Sequence, residues 1–92
     1  MTIEFSRHAL EKALLRNIKM QHIRRTLKNP DELYEDTEHS VTIAIKKINE
    51  KSILLAYTKE NELVKVITLY YTTKLDRLIR AKTGRGAWKK TK

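Results

Sequence analysis

With 92 residues, 40% hydrophobic content and no cysteine, the chain has length for one small core and excludes disulfides, thiolate metal sites and a wholly disordered state. Net charge is +9 and unevenly spread: residues 1–28 carry seven basic and two acidic side chains, residues 29–38 none and five, residues 39–73 five and three, and residues 74–92 eight and one. Two basic ends around an acidic insert point to a positive surface suited to a polyanion, most commonly nucleic acid.

Taken in order, Ile3–Phe5 reads as a short strand and Ser6 as the cap of a helix beginning at Arg7. Stepping about 100° per residue gathers His8, Lys12 and Arg16 within about a quarter turn, with Ala9, Leu10, Ala13 and Leu14 on the other side, expected to bury. Asn17 fits a left-handed helix end. A second helix is expected over Met20–Lys28, with Met20, Ile23 and Leu27 as its apolar stripe, stopped by Asn29-Pro30 because proline cannot continue the ladder.

From Asp31 the pattern turns to strands. Glu32–Asp36 reads as a short acidic edge strand, followed by Val41–Ile48, a turn at Asn49-Glu50-Lys51, Ser52–Thr58, a turn at Glu60-Asn61-Glu62, and Leu63–Tyr71. The last of these is the most apolar and is expected to be central. Thr73 and Asp76 form a capping-box pattern for a third helix with Leu75, Leu78 and Ile79 inward and Thr83-Gly84 closing it. The expected fold is α+β: an N-terminal strand and helical hairpin packed on an antiparallel sheet of three or four strands, then a C-terminal helix. Residues 1–84 make the single domain and 85–92 a basic tail, in which Trp88 either stacks on a base or anchors the tail to the body.

The run Ile3-Glu4-Phe5-Ser6-Arg7-His8-Ala9, with Arg16-Asn17-Ile18, Leu27-Lys28-Asn29-Pro30, Tyr57 and Val66-Ile67-Thr68-Leu69-Tyr70, resembles a family of small prokaryotic domains of unknown function with an F-S-x-H-A pattern. Asn17 stands where that pattern has glycine and Lys19 where it has a serine cap. The resemblance implies a fold similar to the RelE/ParE toxins and, with it, a toxin or nuclease role in a toxin–antitoxin system.

A metal-independent endoribonuclease needs a base for the ribose 2′-hydroxyl, cations for the phosphorane-like charge and an acid for the leaving oxygen. His8 is the natural acid–base group because the unperturbed histidine pKa lies near neutrality, and Tyr57 and Tyr70 are candidate phenols, though tyrosine favours strands in any case. Lys12, Arg16, Arg77, Arg80 and Arg85 are the candidate phosphate ligands. No metal or other cofactor is expected: His8, His22 and His39 lack close ligand spacing, the run Asp31–Glu38 does not match a calcium loop, and Gly84 and Gly86 are the only glycines.

The expected partners are therefore RNA, with the ribosome as one setting, and an acidic or amphipathic antitoxin. Two other readings stand beside this one: a non-catalytic RNA- or DNA-binding module using the same surface, and a protein-interaction domain. With no secretory leader pattern, no apolar run of spanning length and no basic helix backed by aromatic anchors, the expected location is cytoplasmic and off the membrane.

Overall fold

A computed structural model describes residues 1–92 as β1 (Thr2–Phe5), α1 (Arg7–Leu15), α2 (Met20–Lys28), β2 (Glu32–Asp36), β3 (Val41–Ile48), β4 (Lys51–Glu60), β5 (Leu63–Thr72), α3 (Leu75–Gly84) and β6 (Trp88–Lys90). Both N-terminal helices match their expected boundaries for the expected reasons. The Ser6 hydroxyl accepts the Ala9 amide at 3.0 Å and donates to the Ile67 carbonyl at 2.9 Å, so one side chain caps α1 and ties it to β5. Asn17 takes the left-handed conformation (φ 50°) that turns the chain into α2, and Asn49 and Asn61 do the same in the β3–β4 and β4–β5 turns (φ 57° and 56°).

The strands form one mixed sheet in the order β1-β5-β4-β3-β2-β6. Six strands replace the three or four expected, because both chain ends join the sheet: β1 pairs in parallel with the first half of β5, and β6 pairs antiparallel with β2. The residues expected as a basic tail thus supply an edge strand, and β2, expected at the edge, is enclosed between β3 and β6. Complementary charge favours this pairing: Glu35 stands opposite Lys89, and Lys90 approaches the Glu32 carboxylate at 3.4 Å.

Period-two alternation divides the core into two faces. Ile53 and Leu55 of β4 face the α1–α2 hairpin with Ala9, Ile18, Ile23, Val64, Val66 and Leu69. Leu54 and Ala56 face the other way, with Tyr34, Ile43, Ile45 and Trp88, beneath Leu75, Leu78 and Ile79 of α3. The central, doubly covered strand is therefore β4, whose residues from Ser52 to Ala56 are all buried, and not β5 as its apolar run implied. A bulge accounts for that run. Tyr57 pairs with Val66 and Ala56 with Thr68, so Ile67 is an extra residue and the inward set switches from Val64 and Val66 to Leu69 and Tyr71.

Two local expectations change. Lys74, not Thr73, is the N-cap of α3, and no side chain caps it, so the Thr73–Asp76 box does not form. On α1 only Ala9 is buried, with Lys12 and Ala13 half-buried, while Leu10, Leu14 and Leu15 are 49%, 75% and 83% exposed. The two alanines allow the helix backbone to lie close to β5 and leave the longer leucines outside that contact. No helix is long and apolar enough to cross a membrane.

Candidate functional site

The α3 face of the sheet is only partly roofed, leaving a cavity of about 400 Å³. Its floor is apolar, built from Ile43, Leu54, Ala56 and Trp88, and its walls include Thr68 and Tyr70 of β5, Lys82 of α3 and the Asp36–His39 pair. The β5 bulge turns Thr68 and Tyr70 toward this side.

Asp36 organises one end. Its carboxylate accepts hydrogen bonds from the amides of Glu38 and His39 at 2.9 and 3.0 Å, from Nδ1 of His39 at 3.0 Å and from Nε1 of Trp88 at 3.2 Å. Burial works to raise its pKa, but these bonds together outweigh burial and hold the carboxyl below the usual range. Asp36, Glu38 and His39 bring one potential metal-ligand atom each within 4.8 Å of one another. The Asp36 oxygens are already occupied by four donors, and Glu38 pairs with Arg85 at 3.1 Å, so the trio is satisfied internally.

At the β5 end lies the helix face singled out by periodicity. Burial raises the Tyr70 pKa, and the positive charge of Arg16 partly offsets it. Ser6 is bonded at Ile67 and the Lys19 amide donates to the Tyr71 hydroxyl at 3.4 Å, so α1 runs beside the half of β5 that β1 leaves unpaired. His8, Lys12 and Arg16 share one stripe of that helix. His8 is exposed and makes no side-chain hydrogen bond or ion pair.

The other expected residues fall elsewhere. Tyr57 packs against the hairpin-side core, across the sheet from Tyr70, with its hydroxyl pKa raised by burial. Arg77 and Arg80 line a separate cavity of about 510 Å³ with Lys47, Lys51 and Lys74, at the end of the sheet where β3 turns into β4. Arg85 stands nearer the first cavity but is engaged by Glu38.

Two clusters were missed by sequence reasoning. Asp36 and His39 meet locally, three residues apart, but Trp88 joins them only because β6 pairs with β2, across 52 residues, and nothing local signals that contact. On the hairpin side, His22 Nδ1 lies 2.7 Å from the Tyr71 hydroxyl, with Lys51 Nζ 4.0 Å from the Tyr71 ring centre. The His22 pKa is lowered, first by burial and then by Lys19, Arg25 and Lys51. Helical spacing could have placed His22 toward the sheet, but not opposite Tyr71.

Fold and site define a small α+β domain with a helical hairpin on one face of a mixed sheet and an apolar-floored, cation-bordered cleft on the other. The chain belongs to the family described as Domain of unknown function (DUF4258), whose model matches residues 5–71. That span runs from the end of β1 through β5, so α3 and β6, with Lys82 and Trp88, lie beyond it. No curated protein and no solved structure matches the chain.

Proposed function

We propose that this protein is a RelE/ParE-like toxin domain that cuts RNA without a metal ion, using the α3 face of the sheet and the adjoining stripe of α1. The observation that carries this reading is how the residues Phe5-Ser6-Arg7-His8-Ala9 are used. Phe5 packs on the core, Ser6 caps the helix and binds β5, Ala9 is fully buried and Arg7 reaches Glu11 at 3.7 Å. His8 alone has no duty in the fold, and it shares its helix face with Lys12 and Arg16.

In this reading His8 takes the 2′-hydroxyl proton as the 2′-oxygen attacks phosphorus. The bond from phosphorus to O5′ breaks, the departing oxygen takes a proton from the Tyr70 phenol, and the products are a 2′,3′-cyclic phosphate and a 5′-hydroxyl. Lys12 and Arg16 hold the charge that builds on the phosphate. Inhibition would come from an antitoxin segment carrying acidic groups across this surface. Expression in a bacterial host tests the reading: growth should arrest, and His8→Ala should relieve the arrest at equal protein level. Arrest undiminished by His8→Ala removes His8 from the mechanism.

A second reading, RNA binding without cleavage, is favoured by one observation. Of twenty Lys and Arg side chains, only Arg7, Lys46, Arg85 and Lys90 pair with carboxylates, so most of the positive charge is available to a polyanion whether or not chemistry follows.

A further inference from the structure

We propose that the cavity on the α3 face is a mononucleotide-binding site, with the base on its apolar floor and the phosphate held by His39 and Lys82. It rests on the reading of that face as the RNA-acting side and adds to it the unit that is recognised. Size, floor and border each constrain the ligand. A volume of about 400 Å³ falls in the range of small-ligand sites, roughly 300–1,000 Å³. The buried floor, which includes the edge of Trp88, is fronted by half-buried Val41, Ile67 and Tyr70, and this apolar lining favours a flat, weakly solvated body, which a simple phosphate or sugar phosphate lacks.

The border calls for an anion at the same time. Lys82 is half-buried, lines the cavity and forms no ion pair. His39 gives Nδ1 to Asp36, which leaves Nε2 as the nitrogen open to a ligand. The same Asp36 carboxylate, itself 5% exposed, also receives the Trp88 indole N–H. One buried group thus fixes both the floor beneath the cavity and the imidazole at its border, so the two are oriented together before any ligand arrives.

Trp88 is the only tryptophan, so intrinsic fluorescence reports on this cavity directly. The intact chain is titrated in chelator with AMP, adenosine and ribose 5-phosphate. A saturable change with AMP is expected, with adenosine and ribose 5-phosphate each binding at least about tenfold more weakly. His39→Gln and Lys82→Gln should each weaken AMP binding by about tenfold and leave adenosine binding unchanged. The site is overturned by the lack of a saturable AMP response, by ribose 5-phosphate binding as tightly as AMP, or by AMP binding that both variants leave unaltered. RNA cleavage assayed alongside separates the two claims: AMP binding without cleavage leaves the site standing and removes the nuclease reading, and cleavage without AMP binding does the reverse.

Discussion

Asp36 shows how one residue sets both stability and site geometry. Four donors converge on its carboxylate, and the charge-assisted bonds are the strong ones. Asp36→Ala leaves the buried Trp88 indole N–H without its partner, and chemical denaturation should show a loss of about 3 kcal/mol. The pH dependence follows from the direction of the shift. Because the folded pKa lies below the unfolded value, the contribution is present above about pH 4 and is lost as pH falls through the lowered folded value. At Tyr70, removal of the hydroxyl in Tyr70→Phe should leave stability nearly unchanged and lower RNA cleavage by at least about tenfold, since the ring stays packed and only the proton donor goes. Of these residues, Tyr70 was legible in the sequence as a candidate. Its facing was not, because the extra Ile67 reverses the alternation that a strand pattern assumes.

Among the elements, the helices were the most legible. Their starts and stops depend on neighbours in sequence, as with Ser6, Asn17 and Asn29-Pro30. The sheet edges depend on distant pairing, and there local pattern failed: β1 joins β5 in parallel and β6 joins β2, and neither contact leaves a periodic trace. β6 nevertheless anchors a core through the buried Trp88, stacked 5.5 Å from Tyr34. Trp88→Ala should cost about 3–5 kcal/mol in a denaturant titration, which a tail residue would not. The contact between α2 and β5 supplies a pH-sensitive element. With the folded His22 pKa below its unfolded value, the folded state resists protonation. Its contribution is therefore present above about pH 6.5 and is lost as pH falls through the folded pKa. Denaturation curves recorded between pH 5 and 8 should show this loss in the parent protein and a flatter profile in His22→Gln.

At the scale of the whole molecule, charge and shape act together. The two basic ends inferred from composition take different places in the fold: α1 packs on the hairpin side against β5, and α3, from the other end of the chain, supplies Lys82 to the cleft. Composition pointed to a polyanion as the partner, and helix periodicity grouped His8, Lys12 and Arg16 on one stripe. The cleft itself was not, because its floor comes from β3, β4 and β6 together. RNA binding should weaken steeply with salt, and replacing Lys12 and Arg16 by glutamine should make the slope of log K against log salt shallower by about 0.7 per cation removed. The most direct measurement is the cleavage of single-stranded RNA by purified protein in excess chelator, with His8→Ala, Arg16→Gln and Tyr70→Phe in parallel. The account predicts 2′,3′-cyclic phosphate ends from the parent protein and a large loss in each variant; intact RNA with the parent protein, or cleavage that all three variants retain, would contradict it.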